Sequence, residues 1–292
     1  MEFTKQYPVI RYEDGRETPS MDEVLAECSL NVHINGRCTE VLHCIPEYLE
    51  EMLLGRLYTS GVISSPEDIM DLSICPSLNR ADLKIRETDR TMVRLPDLHI
   101  CPDHILSLSQ HLLDASELFR KTGNVHSVML CRDYAVLYMT EDLDRSRAFE
   151  KTVGRALKDR VDFAGTSVYT TGRIPRPIAE KAIWAGIPVI VSRSAPTDLT
   201  LELAAEYNLT VIGFARRNRM NIYRTSRDGS ATPSFSVSCH ARYVITGMVS
   251  TDRMEVKAML LADILPSVAP YSFSTSITTL PTGIAIKRIK IP

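Results

Sequence analysis

Five arginines and one cysteine stand where their neighbours suggest chemistry. Arg173 lies in Gly172-Arg173-Ile174-Pro175-Arg176-Pro177, and Arg193 in Ser192-Arg193-Ser194-Ala195-Pro196-Thr197. Arg216, Arg217 and Arg219 share the run Phe214-Ala215-Arg216-Arg217-Asn218-Arg219. Guanidinium forks and unused backbone N–H groups both suit phosphate oxygens. Gathered in one place with Ser192, Ser194 and Thr197, they would hold a multiply phosphorylated, nucleotide-like ligand. The plainer alternative is that each arginine is solvated or paired with a nearby acid. Three such loops in register favour the ligand. The cysteine is Cys101, just ahead of a predicted helix whose positive end would favour a thiolate, with His99 and His104 close by.

The arginine loops depend on a repeated unit of about twenty residues, the length of a strand, a turn and a helix. Residues 167–171 are a β-branched run. After the first basic loop, residues 178–185 read as a helix, with Pro177 in its first turn and Gly186 beyond its end. Residues 187–191 are fully apolar, as in a parallel strand buried on both faces. A helix over 198–207, stopped by Asn208, and a third run at 209–214 complete the repeat. Successive right-handed crossovers would put every basic loop at a strand's carboxyl end, where open α/β sheets bind ligands.

Upstream, residues 1–20 are polar and read as an extended lead-in. A strand at 30–34, the turn Asn35-Gly36 and a return strand at 38–44 predict a hairpin. A helix over 47–58, strands near 80–86 and 91–95, and an amphipathic helix over 103–120 follow. Strands at 125–131 and 135–139 and a helix at 145–159 lead into the repeats. Beyond 225, residues 226–236 are a polar linker. Strands at 237–248 and 283–291 and a helix at 254–265 are expected in an extension without a functional reading. The division is thus 1–120, 121–225 and 226–292.

A net charge of −2 over 292 residues gives no global case for binding nucleic acid or an anionic membrane. No apolar run reaches the length of a membrane span. Seven cysteines, an odd number in a chain of this size, suggest reduced thiols in the cytoplasm. No Walker-type loop and no Gly-x-Gly-x-x-Gly after a strand supports ATP or nicotinamide chemistry. His99, Cys101 and His104 offer metal ligands without the second pair that structural zinc takes, so no metal site is expected.

The same residues carry a resemblance. Thr-Gly-Arg-Ile at 171–174, the run from 185 to 199, Ile-Gly-Phe-Ala-Arg at 212–216 and Arg-Met-Asn-Ile-Tyr at 219–223 resemble the formate dehydrogenase accessory sulfurtransferase family. Residues 30–36, 53–63, 122–126 and Glu141-Asp142 continue the likeness, which spans about residues 18–225. The resemblance implies an α/β fold with a cytidine-deaminase-like three-layer core and a mainly parallel sheet, plus a small α+β N-terminal region. It implies a homodimeric sulfur carrier whose partners are a cysteine desulfurase and the formate dehydrogenase apoenzyme. Persulfide sulfur would pass to a molybdenum bis-molybdopterin guanine dinucleotide bound as cargo. Phe214, Ala215, Arg216, Arg217, Asn218 and Arg219, with Arg193, Ser194 and Arg173, would hold its phosphates and guanine.

Two departures bear on that chemistry. The family's Cys-x-x-Cys is absent, and the matching region is shortened to one cysteine, Cys101. Cys101 is then either a minimal persulfide carrier or an ordinary loop cysteine in a chain that binds the cofactor without transferring sulfur. After Glu141-Asp142 the family has Gly-Arg-His-Asn. Here the run is Asp144-Arg145-Ser146-Arg147, keeping Arg145 and Lys151 but not the histidine. His126 stays in its place after Gly123, as a structural donor or a member of the site. The deaminase zinc motifs, His-x-Glu and Pro-Cys-x-x-Cys, do not occur, so hydrolytic deamination is not expected.

Overall fold

Two-residue turns shape the first third of the chain. The structure is a computed structural model that describes residues 3–223 other than 76, 78 and 99, and the backbones of two strands further on. Strands β1 (Thr4–Glu13) and β2 (Arg16–Leu25) form an antiparallel hairpin around Asp14-Gly15. The expected polar lead-in is therefore a folded arm. Its turn residues take φ of 50° and 78°, the left-handed pair that a tight hairpin needs and that Asp-Gly supplies. Strands β3 (Cys28–Ile34) and β4 (Arg37–Cys44) pair around Asn35-Gly36, with φ of 51° and 81°, as expected.

Helix α1 (Leu49–Thr59) buries Met52, Leu53 and Leu57. Strands β5 (Ile69–Cys75) and β6 (Arg80–Ile85) then complete a four-stranded sheet of order β4-β3-β6-β5. Strand β5 was not expected, and residues 91–95 form no strand. The Leu95 amide donates to the Tyr207 carbonyl at 2.8 Å, and Asn208 Nδ2 donates to the Leu95 carbonyl at 2.9 Å. That extended segment is tied to the end of a helix, not to a sheet.

The expected helix over 103–120 is two, α2 (Pro102–Asp114) and α3 (Glu117–Thr122). The break falls at Ser116, whose buried hydroxyl bonds Ser127 Oγ at 2.6 Å and Glu141. Strands β7 (His126–Arg132) and β8 (Ala135–Asp142) lead into α4 (Arg145–Lys158). Asp144 caps α4 by accepting from the Ser146 and Arg147 amides at 2.7 and 3.3 Å, an interaction typically worth ~1 kcal/mol.

The repeats follow as β9 (Thr166–Thr170), α5 (Arg176–Ala185), β10 (Val189–Ser192), α6 (Asp198–Tyr207) and β11 (Thr210–Arg216). Gly186 and Asn208 end the two helices at φ of 80° and 62°. The chain then doubles back as β12 (Arg219–Tyr223), so the third basic loop is a hairpin turn and not the start of another crossover.

The resulting sheet runs β12-β11-β10-β9-β7-β8. Its β9-β10 and β10-β11 pairings are parallel, while β11-β12, β7-β9 and β7-β8 are antiparallel. The sheet is mixed and not mainly parallel, because only the crossover helices α5 and α6 return the chain in the same direction. Hairpins build both edges.

Side chains alternate across this sheet with the strand period of two. Val128, Leu130, Val168, Ile190 and Val211 face a core shared with α1, α4, α5, α6 and the four-stranded sheet. Met129, Cys131, Tyr169, Val189, Val191 and Ile212 face α2 through Ile105, Leu108 and Leu112. Helices α1 and α4 cross with their backbones almost touching. A Cβ added at Gly55 would lie 1.9 Å from the Glu150 carbonyl oxygen, and one at Gly154 would lie 1.8 Å from that of Glu51. Elements from before and after residue 120 thus share one core.

The chain divides into two compact units, Met1–Phe235 and Ser236–Pro292. In the second, strands β13 (Ser274–Thr279) and β14 (Ala285–Lys290) pair antiparallel. The expected strand at 283–291 corresponds to β14. The linker at 226–236, the strand at 237–248 and the helix at 254–265 lie outside the described residues.

Candidate functional site

The carboxyl ends of β9, β10 and β11 share one edge of the six-stranded sheet, as their parallel register requires. Because β7 runs antiparallel to β9, the start of β7 and the end of β8 reach the same edge. That places Gly123–His126 and the α4 N-terminus beside the arginine loops. A cavity of about 360 Å³ opens there, lined by Leu113, Phe119, Gly123, Asn124, Val125, His126, Leu143, Thr171 and Arg193. Larger depressions of about 500 and 710 Å³ lie along the four-stranded sheet, but none of the five arginines lines them. Chemistry selects the smaller one.

The loops at this edge are stitched together before any ligand is considered. Ser192 Oγ donates to the Gly172 carbonyl at 2.6 Å and accepts from the Ser194 amide at 2.8 Å. The Ile174 amide donates to the Ala195 carbonyl at 3.0 Å, and the Phe214 amide to the Ser194 carbonyl at 3.0 Å. Thr197 Oγ1 lies 3.0 Å from Thr200 Oγ1. Ser192, fully buried, and Thr197 are therefore engaged within the scaffold, where ligand contacts had been expected. A Cβ on Gly213 would come within 2.9 Å of the Pro196 ring. The second and third loops can pack this closely only because that residue is glycine.

Arg193 is the arginine that lines the cavity. Its Nη1 donates to the Ser109 carbonyl at 3.0 Å, and Ser109 Oγ donates to the Ala215 carbonyl at 2.5 Å. One residue of α2 thus braces the second loop through its carbonyl and the third through its hydroxyl. Burial holds the Arg193 guanidinium below its usual range; Asp114 opposes this, and Arg216 close by adds to it. His126 is half-buried, and burial followed by the nearness of Arg145 and Arg173 lowers its pKa, with Asp144 opposing. A Cβ on Gly172 would lie 3.3 Å from both Arg145 Cβ and His126 Nδ1. Arg145, Arg173, Arg193 and Arg216 are thus electrostatic neighbours of one rim.

Among the described residues, none of Arg145, Arg173, Arg193, Arg216, Arg217 and Arg219 makes an ion pair with a carboxylate. Arg56, Arg80, Arg147, Arg160 and Arg176 all do. Arg176, where the first basic loop enters α5, bonds Glu180 at 2.8 Å. Burial beside unneutralised like charges raises the energy of the site, and an anion would relieve it. The donor set therefore fits a phosphorylated ligand.

The remaining expected residues divide. Ser194 is half-buried in the stitched second loop. Phe214 is half-buried at φ 56°, on the bulge between Gly213 and Arg216, and Ala215 is buried beneath it. Arg217, at φ 57°, Asn218 and Arg219 are exposed on the β11–β12 turn, on the same sheet edge but not in the cavity wall. Residue-type reasoning missed Ser109, Thr171 and Leu113. Ser109 is one turn before the end of an amphipathic helix, and nothing in its neighbourhood marks it.

Cys101 is the N-cap of α2, as expected, but it is only 6% exposed. His99 lies outside the described residues. Among the described residues no three His, Cys, Asp or Glu side chains are grouped as metal ligands. Nor does any helix among them have the length and apolarity to cross a membrane.

Asp142 and Lys151, both retained from the resembled pattern, meet at 2.6 Å with neither side chain exposed. The Ile45 amide donates to Asp142 at 3.2 Å, and Lys151 donates to the Ile45 carbonyl at 3.1 Å. This pair bolts β4 to the six-stranded sheet. Its role is positional.

The fold and rim define an α/β protein with a cationic cavity at the carboxyl edge of a mixed sheet. The chain belongs to the FdhD/NarQ family, whose model matches residues 25–94 and 84–228. It is 28% identical over 254 residues to the sulfur carrier protein FdhD of Listeria monocytogenes serotype 4b (strain F2365), covering 76% of this chain and 97% of that one. It is 30% identical over 244 residues to the sulfur carrier protein FdhD of Bacillus subtilis (strain 168), covering 74% and 93%. Its structure is similar to the crystal structure of a protein described as a formate dehydrogenase accessory protein from Desulfotalea psychrophila. There the TM-score is 0.69 and the identity 26%, covering 77% of this chain and 99% of that one.

Proposed function

We propose that this chain is an accessory sulfur carrier for formate dehydrogenase. In this reading it takes persulfide sulfur from a cysteine desulfurase and gives it to a molybdenum bis-molybdopterin guanine dinucleotide destined for that enzyme. It does so in the cytoplasm as a homodimer, on a cytidine-deaminase-like layered core. Family membership and the names of the relatives support the role. The observation that carries the cofactor part is the cavity at Arg193 and His126, with Arg145, Arg173 and Arg216 close by and, among the described residues, not ion-paired with carboxylates. Arg193, Arg216 and the turn through Arg219 would hold the phosphates, and Phe214 would offer its ring to the guanine. Cys101 would carry the sulfur at the positive end of α2.

A second reading has its own support. The missing Cys-x-x-Cys and the burial of Cys101 favour a chaperone that binds the guanine nucleotide cofactor and transfers no sulfur. One experiment separates the two. The reduced full-length chain is incubated with a cysteine desulfurase and cysteine, and added sulfur is mapped by peptide mass spectrometry. Sulfur on Cys101 is expected. An unmodified Cys101 in a chain that still binds guanosine diphosphate selects the chaperone, and loss of both activities contradicts both readings.

A further inference from the structure

Away from the cavity, two thiols face each other across the β3–β4 hairpin. Cys28 and Cys44 are register partners with their sulfurs 3.4 Å apart. The placement depends on a bulge. Ile34↔Arg37 and His33↔Cys38 alone would set Cys28 opposite His43, and the extra residue on β4, Thr39, opposite the Val32–His33 step moves it opposite Cys44. The pair is asymmetric. Cys44 is fully buried, whereas Cys28 is partly open beside the exposed Glu27–His43 pair. Lys151 and Asp142 lie close enough to act on both sulfurs.

We propose that Cys28 and Cys44 form a thiol–disulfide exchange centre whose substrate is an accessible S–S bond, in a disulfide or a persulfide. Cys28 is the attacking thiolate and Cys44 the resolving one. In the first step Cys28 Sγ attacks one sulfur of R–S–S–R′. That bond breaks, and RS⁻ leaves and is protonated to RSH. In the second, Cys44 gives up its proton and attacks Cys28 Sγ, expelling R′S⁻, which takes up the proton. The two cysteines end as a disulfide and the substrate as two thiols. With a persulfide, R′ is hydrogen and the second product is hydrogen sulfide.

Geometry supplies the order of events. A reagent from solvent reaches only Cys28, and the second sulfur waits within about 1.4 Å of bonding distance, given an S–S bond near 2.05 Å. The neighbouring charges agree. A hydrogen bond from Cys44 to the Cys28 thiolate lowers the Cys28 pKa, while the same bond and burial drive the Cys44 thiol far upward. Cys44 becomes nucleophilic only after Cys28 has been consumed. Cys131, buried with its pKa raised to about 12, has no such opening. The centre is independent of the proposed carrier role, since its reaction needs neither a desulfurase nor a molybdenum cofactor.

The test uses the reduced full-length chain with oxidised glutathione, followed by alkylation and peptide mapping. The wild type is expected to yield a Cys28–Cys44 linked peptide, C44S a stable glutathione adduct on Cys28, and C28S no adduct on Cys44. Cys38, exposed on the same hairpin, is the internal reference. Recovery of Cys28 and Cys44 as alkylated thiols under conditions that glutathionylate Cys38 would overturn the proposal, and needs only the wild type. Replacing glutathione with inorganic polysulfide identifies the persulfide source. The wild type should release sulfide, and C44S should retain sulfur on Cys28 and release at least tenfold less. Equal release from C44S would remove the resolving role.

Discussion

Lys151 Nζ and Asp142 Oδ2 meet at 2.6 Å in complete burial, and the same two side chains bond the amide and carbonyl of Ile45. Removing one partner leaves the other charge buried and uncompensated, an effect of about 3–5 kcal/mol, whereas exchanging both for apolar groups is often neutral. Lys151→Met is therefore expected to lower unfolding stability in urea by ~3–5 kcal/mol, and Lys151→Met with Asp142→Leu to recover part of it, since the Ile45 amide then lacks its acceptor. If the single variant unfolds at the wild-type midpoint, the pair does not hold β4 in place.

The α1–α4 contact sets helix propensity against space. Alanine at Gly55 gains about 1 kcal/mol in an isolated helix. Here its Cβ would overlap the Glu150 carbonyl at 1.9 Å, and backbone on both sides leaves no room to yield. Overpacking of about 1–3 kcal/mol or more should win. Gly55→Ala and Gly154→Ala should each lower the midpoint of thermal unfolding by several degrees. Gly165→Ala, with open space around it, should leave it unchanged.

His126 gives the cavity a pH signature. Burial, then Arg145 and Arg173, depress its folded pKa below the unfolded value of about 6.5. Between the two values the unfolded chain binds more protons, so this contribution is full above about 6.5 and is lost as pH falls toward the folded pKa. Titration of the His126 ring by NMR should show the depressed pKa, and added phosphate should raise it. A ring titrating at or above 6.5 in the free protein would place His126 outside this field.

Much of the scaffold is legible in the sequence because its signals are local. Asn35-Gly36, the caps at Asp144, Gly186 and Asn208, and the apolar run through Ile190 each act within a few residues. Asp14-Gly15 carries the same hairpin signal, but its strands are exposed on both sides, Tyr7, Ile10 and Tyr12 included, so no buried face marks them and they read as a lead-in. Strand β5 lacks a clean alternation, and the break at Ser116 depends on Ser127 and Glu141, far along the chain. The rim was only half visible. Loop positions of Arg173, Arg193 and Arg216 follow from the repeat, whereas the cavity wall from α2 and the Cys28–Cys44 pair depend on a tertiary contact and a one-residue bulge.

The arginine rim as the seat of a phosphorylated guanine ligand is most directly tested by titrating guanosine diphosphate into the full-length protein by calorimetry. Arg193→Ala and Arg216→Ala should each weaken binding by roughly tenfold, about 1.4 kcal/mol, with a smaller loss at high salt. Arg176→Ala, whose guanidinium already bonds Glu180, should bind like the wild type. Identical binding curves for the wild type, Arg193→Ala and Arg216→Ala would contradict the assignment of this edge as the ligand site.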